Sequence, residues 1–262
     1  MRLTVVIPTY NEAENLPKLA STLLALRIPE LKLLVVDDNS PDGTAKVVKD
    51  LMDRYPGRIS VIVRPKKSGL GTAYITGFQH ALREGAEAVG QMDADLSHPP
   101  EKIVELLQTL ETCDVAMGSR YVRGGSVDRN WPAWRKGLSA FGNLYARSIL
   151  RLPIVDATGG FRLWRRTALL GMPLKRVRSN GYAFQIEMAY LAHRLGYSFR
   201  EVPFYFADRR WGTSKMSLNI QLEAAWRVWE LLIEYRDLSP SEAPTRPSGG
   251  TSIIAGGKQT KT

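Results

Sequence analysis

Two carboxylates one residue apart, Asp93 and Asp95, end an apolar run at Met92 and are followed by Leu96-Ser97-His98-Pro99-Pro100. In an extended segment alternate side chains share a face, so both carboxylates project the same way from a strand end. Like charges held that close repel unless a proton or a cation neutralises them. Mg²⁺ takes one or two carboxylates together with substrate phosphates, so the pair reads as a divalent-cation seat for a nucleotide diphosphate. Taken alone, an Asp-x-Asp is more often a solvated turn, because short motifs recur by chance. Its surroundings decide between the two.

The elements that must carry the pair alternate apolar runs with helical patterns, as strand-helix units of an α/β fold do. Leu3 to Ile7 reads as a first strand, and a helix from Asn11 or Glu12 places Leu16, Leu19, Leu23 and Leu26 on one face. Leu31 to Val36 is a second strand running into Asp37-Asp38-Asn39-Ser40-Pro41-Asp42-Gly43-Thr44, a turn able to cap the helix that starts near Thr44. Strands over Ile59 to Val63 and Ala88 to Met92 flank a helix from Ala73 to Glu84 that stops near Gly85. The fourth strand delivers the Asp pair to its carboxyl end, where open parallel sheets bind ligands. After a helix over Lys102 to Leu110, a short strand from Val115 to Ser119 leads to Arg120. Gly69 and Gly71 match neither a P-loop nor a dinucleotide fingerprint and read as a loop. Pro8-Thr9-Tyr10-Asn11-Glu12 stands where a Rossmann dehydrogenase needs its glycines, which disfavours that enzyme class.

A chain of 262 residues can bury one full core, and 44% hydrophobic with 24% charged residues is globular composition. Cys113 is alone, so no intrachain disulfide forms. The run from Leu3 to Ile7 is too short for a signal peptide, and no stretch reaches the ~18 apolar residues of a membrane span. The net charge of +10 is concentrated: residues 111–216 hold 18 Lys/Arg against 7 Asp/Glu, whereas residues 1–110 hold 13 against 14. A basic middle region beside a neutral first half predicts an anionic partner: by charge alone, a phosphorylated substrate, lipid headgroups or nucleic acid. Acidic pairs at strand ends would repel a phosphate backbone, which disfavours nucleic acid.

Pro8-Thr9-Tyr10-Asn11-Glu12, Asp37 to Thr44, Asp93-Ala94-Asp95 and Gly118-Ser119-Arg120-Tyr121 resemble, in order, the motifs of family 2 inverting glycosyltransferases of GT-A type. Asp156-Ala157-Thr158-Gly159-Gly160-Phe161-Arg162 and Arg209-Arg210-Trp211-Gly212-Thr213-Ser214-Lys215 extend the likeness to the dolichol-phosphate (polyprenol-phosphate) mannose synthase branch. The resemblance implies an α/β GT-A domain over residues 1–216 with a mostly parallel twisted sheet. An amphipathic helix over 217–236 and a disordered tail over 237–262 would follow. It implies that Pro8, Tyr10, Glu12, Val35 and Asp37 bind the guanosine half of GDP-mannose. Asp93, Ala94 and Asp95 would meet the sugar diphosphate, with Asp93 and Asp95 as ligands of Mg²⁺ or Mn²⁺. Arg120, Arg209 and Lys215 would meet phosphates, and Asp95, Arg120 and Lys215 carry the catalytic roles. Ser97 departs from the family's glutamine and is a shorter, poorer metal ligand. His98 reads as structural, because a hard cation prefers oxygen.

The implied acceptor is a dolichyl or polyprenyl monophosphate. Its second pKa lies near 6, so it is largely dianionic at pH 7 and needs no protein base. The implied reaction inverts mannose from GDP-mannose to the β-mannosyl phospholipid; a polyprenol-phosphate glucosyltransferase using UDP-glucose is the alternative. Arg123, Arg129, Arg135 and Lys136 are loose candidates for the acceptor phosphate. Trp131, Trp134, Leu138, Phe141, Leu144, Tyr145 and Ile149 recur at near-helical spacing among basic residues, which fits a membrane interface or a core helix. From Leu218 to Tyr235, Leu222, Trp226, Trp229 and Ile233 line one face, and Asn219, Glu223, Arg227, Glu230 and Glu234 the other. That helix suits a membrane, the catalytic domain or a membrane-anchoring protein partner. The implied location is peripheral, on the cytoplasmic face of a membrane.

Overall fold

In the computed structural model, residues 1–208 and 218–240 are described. A seven-stranded sheet is built from β1 (Leu3–Thr9), β2 (Lys32–Asp37), β3 (Ile59–Val63), β4 (Ala88–Gln91), β5 (Val115–Ser119), β7 (Arg162–Arg165) and β8 (Phe199–Pro203). Its order is β3-β2-β1-β4-β7-β5-β8, parallel except for β7, which runs antiparallel to both β4 and β5. Two short strands, β6 (Ser126–Val127) and β9 (Tyr205–Phe206), pair beside it. The helices are α1 (Leu16–Ala25), α2 (Thr44–Arg54), α3 (Leu70–Arg83), α4 (Lys102–Leu110), α5 (Ala133–Leu150), α6 (Arg166–Gly171), α7 (Gly181–Arg194) and α8 (Leu218–Glu234).

Both faces of the sheet are buried, which is why the first strands read as unbroken apolar runs rather than alternations. Val5, Ile7, Leu33 and Val35 pack with Leu16, Leu19 and Leu23 of α1 and with Ile103 and Leu106 of α4. Val6, Leu34 and Val36 point the other way, onto Tyr74 and Phe78 of α3. Gly77 lets α3 lie directly on β1, since a Cβ there would come within 2.3 Å of Val6 Cγ1.

The first helix begins at Leu16, later than the expected Asn11 or Glu12. The intervening residues serve a different purpose. Backbone amides of Asn11, Glu12 and Ala13 donate to Ser40 Oγ, Thr44 Oγ1 and Asp42 Oδ2, stitching the loop after β1 to the loop after β2. Side-chain hydrogen bonds of this kind compete with helix formation and hold residues 10–15 in bends and turns, with Asn11 at φ 62°.

The last helix docks on the catalytic domain. Val228, Leu231 and Tyr235 of α8 enter the core shared with α7, and Arg227 turns inward with them. Arg227 Nη2 lies 3.1 Å from Glu187 Oε1 and 2.7 Å from Glu234 Oε2, while Tyr235 donates to Glu187 at 2.6 Å. Trp226, Trp229 and Ile233 are left exposed. Residues 237–240, expected to begin a disordered tail, are held in place: Asp237 pairs with Arg176 at 2.7 Å and Leu238 packs against the core. The rest of that tail, residues 241–262, lies outside the described residues.

Candidate active site

The carboxyl ends of β1, β2 and β4 surround a cleft of about 220 Å³ lined by Pro8, Thr9, Tyr10, Glu12, Asp38, Lys67, Gly69, Leu70, Ala73, Asp93, Ala94 and Asp95. Six residues expected from the sequence therefore meet here: Pro8, Tyr10, Glu12, Asp93, Ala94 and Asp95. Lys67 adds a charge at the cleft, with its ammonium 3.7 Å from the centre of the Tyr10 ring.

Val35 and Asp37 do not line the cleft. Val35 is a core residue, and Asp37 is fully buried, accepting from Thr9 Oγ1 at 2.8 Å and from the amide and hydroxyl of Ser40 at 3.0 and 2.6 Å. Its neighbour Asp38 faces the cleft instead. Asp38 is paired with Arg64 and accepts from the amides of Ser68 and Gly69. Arg64 also donates to Thr72 Oγ1 and the Gly69 carbonyl, so this pair ties the glycine loop to the end of β2. The loop reading of Gly69 and Gly71 omitted that role.

The Asp pair is held from several sides. Asp93 donates its backbone N–H to His98 Nδ1 at 3.2 Å, and Tyr74 donates its hydroxyl to Asp93 Oδ1 at 2.9 Å. His98 stacks on Phe161 with centroids 5.0 Å apart, and burial holds its imidazole below the usual pKa. It is a neutral structural residue whose Nδ1 is already engaged. Burial and the neighbouring Asp93 push the Tyr74 phenol well above its ordinary pKa, which keeps it a donor. Asp95 Oδ1 accepts the amide and hydroxyl of Ser97 at 3.1 and 2.6 Å. Leu96, between them, adopts φ 62°, a left-handed conformation that costs an L residue about 1–2 kcal/mol. The strained turn folds Ser97 back onto Asp95, making the serine an anchor for that carboxylate.

The donor set suits a hard divalent cation. Both carboxylates offer oxygen, and among the described residues no third His, Cys, Asp or Glu joins them, which leaves room for phosphate oxygens and water. Gly160 contributes space on one side, since a Cβ there would sit 3.8 Å from Asp93 Oδ2 and 3.0 Å from Gln185 Nε2. Arg162 fixes the Gly160 loop. It is fully buried and donates to the carbonyls of Ala157, Gly159 and Gln185, and burial pushes its guanidinium down to about 10.

Arg120 lies outside the cleft lining, beyond the His98 and Phe206 rings. Its Nε and Nη2 donate to Asp156 Oδ2 and Oδ1 at 2.8 and 2.6 Å, its backbone N–H donates to Oδ2 at 2.9 Å, and Nη2 also reaches Thr158 Oγ1. Burial opposes ionisation of Asp156, but the Arg120 guanidinium overrides it and holds the carboxyl below its ordinary pKa. With Glu201 accepting the amides of Val155 and Asp156, this is a fixed ion pair. Both oxygens of the buried Asp156 carboxylate are engaged by Arg120. Arg209 and Lys215 lie outside the described residues.

Residues 4–171 match the family model described as Glycosyl transferase family 2. The chain belongs to this family. As a family 2 glycosyltransferase it is 45% identical over 230 residues to a polyprenol monophosphomannose synthase of Mycolicibacterium smegmatis, covering 87% of this chain and 86% of the relative. It is 43% identical over 242 residues to an undecaprenyl-phosphate mannosyltransferase of Micrococcus luteus, covering 91% and 98%. Among solved structures, a mannosyltransferase from Pyrobaculum calidifontis in complex with GDP-Man and Mn²⁺ superposes with a TM-score of 0.61 at 20% identity, over 93% of this chain and 66% of that one. A glucosyl-3-phosphoglycerate synthase from Mycobacterium tuberculosis with Mn²⁺, UDP and phosphoglyceric acid gives 0.63 at 17% identity, over 92% and 80%. The fold is that of a GT-A glycosyltransferase, α/β with a mostly parallel central sheet, as expected.

Proposed function

We propose that this glycosyltransferase transfers mannose from GDP-mannose to a dolichyl or polyprenyl monophosphate, with inversion, on the cytoplasmic face of a membrane. The observation that carries the reading is the near full-length identity of 45% and 43% to relatives named for mannosyl transfer to polyprenol or undecaprenyl phosphate. In this reading the diphosphate of the donor meets Asp93, Ala94 and Asp95, and Tyr10, Glu12 and Pro8 contact its nucleoside half. Asp93 and Asp95 would hold Mg²⁺ or Mn²⁺, which when bound stabilises charge on the departing diphosphate. Arg209, Lys215 and Arg120 are the proposed sources of phosphate-directed charge, Arg120 from outside the cleft lining, where it is already paired with Asp156.

The acceptor phosphate supplies its own nucleophile. Asp156, the remaining carboxylate of the matched motifs, is fully buried and paired with Arg120, so it does not take up a proton at neutral pH. A phosphate site is better supported near α5. Arg135 lies against the Trp131 ring at 3.8 Å and its Nη1 pairs with Asp208 at 3.4 Å, while among the described residues Arg135 Nε and Trp131 Nε1 are buried donors without a hydrogen-bond partner. Buried N–H groups of that kind ask for an acceptor. At subsaturating acceptor, rate against pH rises through one ionisation near 6, the second pKa of the lipid phosphate. A phosphonate acceptor, whose second pKa is higher, shifts the limb upward. An unshifted limb that disappears in Asp156→Asn contradicts the mechanism.

Exposed apolar side chains on α5 and α8 support a membrane contact there. Trp134, Phe141 and Leu144 of α5 and Trp226, Trp229 and Ile233 of α8 are exposed, the first at 67% and Trp226 at 69%. The helices are joined where Trp229 Nε1 donates to Tyr145 Oη at 2.8 Å and Tyr145 donates to the Ala225 carbonyl. Aromatic side chains with interleaved Arg135, Lys136, Arg147 and Arg151 suit an anionic interface. No helix among the described residues is long and apolar enough to cross a membrane. Burying each Trp in the interface contributes about 1.5 kcal/mol, so Trp226→Ser/Trp229→Ser lowers partition onto anionic vesicles by about 10². Unchanged vesicle sedimentation would count against this surface and favour a membrane-anchoring protein partner there.

A further inference from the structure

We infer that Tyr74 is a positioning residue for Asp93: its hydroxyl fixes one carboxylate oxygen and so determines which oxygen is offered to the cation. The inference rests on the donor and cation reading above. Tyr74 stands on the second turn of α3, fully buried, and donates to Asp93 Oδ1 at 2.9 Å. The ring cannot easily swing away. It stacks at 3° on Phe184 of α7 with centroids 5.7 Å apart, and Phe78 meets it at the same separation.

Close packing around α3 fixes that geometry. A Cβ on Gly71 would come within 2.4 Å of the Ser179 carbonyl and 2.9 Å of the Phe184 ring, so the first turn of α3 is pressed against the start of α7. Beneath Asp93, Gln91 donates to Gln185 Oε1 and accepts from Trp164 Nε1, joining β4 to α7 and β7. The backbone of Asp93 is fixed separately by its hydrogen bond to His98.

An Asp carboxylate rotates broadly and almost two-fold about its last torsion. A single donor on Oδ1 removes that freedom and leaves Oδ2 beside the space kept open by Gly160. The chemical type of the donor matters as well. A Lys or Arg in this position would compete electrostatically with a divalent cation for the carboxylate. A phenol orients the oxygen while leaving the full negative charge to be neutralised by metal. Partners that orient a metal ligand in this way are worth roughly 10–100-fold in metal affinity.

The test is Tyr74→Phe, which keeps the ring and its stacking and removes only the hydroxyl. Mn²⁺ binding to the full chain is measured by the electron paramagnetic resonance signal of free Mn²⁺, with GDP present. The Mn²⁺ Kd is expected to rise about 10–100-fold, and raising Mn²⁺ restores GDP binding. Phe78→Leu, which disturbs the same packing but keeps the hydroxyl, lowers Tm and leaves the Mn²⁺ Kd unchanged. An unaltered Kd in Tyr74→Phe, or an equal shift in Phe78→Leu, overturns the assignment. Wild-type protein without Mn²⁺-dependent GDP binding overturns instead the cation reading on which it rests.

Discussion

Asp95→Ala is expected to lose turnover by at least about 10³-fold while remaining folded, because a Lewis acid at a developing charge contributes several kcal/mol and each 1.4 kcal/mol is tenfold in rate. The carboxylate is buried at the cleft and anchored by the amide and hydroxyl of Ser97 through the left-handed Leu96. Its removal therefore leaves the sheet untouched but removes half of the oxygen pair. Circular dichroism should match wild type, titration of GDP-mannose should lose its dependence on Mn²⁺, and EDTA should reproduce the defect in wild type. Full activity of folded Asp95→Ala in EDTA would falsify the cation seat.

Arg120→Ala is expected to reduce both rate and stability. Removing one partner of a buried pair leaves an uncompensated charge and costs about 3–5 kcal/mol of folding stability. The pair here is 6% and 0% exposed, bidentate and reinforced by the Arg120 amide, so the full range applies. Because the Asp156 pKa is depressed, the pair's contribution is present above the ordinary carboxylate pKa and is lost as pH falls through the lower folded value. Stability at neutral pH is thus independent of this group's titration. The rate falls by about 10² or more if the guanidinium also stabilises phosphate charge. Arg120→Ala/Asp156→Ala separates the effects, recovering stability without recovering rate. Recovery of both in the double variant assigns Arg120 a purely structural role.

The place of the Asp pair just past a strand was legible because an apolar run depends only on neighbouring residues, but a bend at residues 94–96 rather than extended-chain alternation carries both carboxylates to the cleft. Pro8, Tyr10 and Glu12 were legible through the family likeness, and the structure brings them to the same cleft. What escaped were contacts between residues far apart in the chain. Arg120 meets Asp156 from 36 positions away and Tyr74 meets Asp93 from 19, and neither pairing leaves a local pattern. Asp37 illustrates a subtler loss: a carboxylate at a strand end looks available, but Thr9 and Ser40 use it to shape the loop and Asp38 takes the cleft-facing position. The amphipathic pattern of α8 left open which side docks, and the structure buries Val228, Leu231 and Tyr235 while leaving Trp226, Trp229 and Ile233 exposed. Glu187, buried on α7, holds Arg227 beside that buried strip, a pairing 40 positions apart that leaves no local pattern.

The most direct test of the account is transfer of radiolabelled sugar to a polyprenyl phosphate in vesicles, with GDP-mannose, GDP-glucose and UDP-glucose compared in Mg²⁺ and in Mn²⁺. The predicted result is a metal-dependent, mild-acid-labile mannosyl phospholipid formed from GDP-mannose, with β configuration at the anomeric carbon. Preferential transfer from UDP-glucose, or mannosyl transfer that persists in EDTA, would contradict it.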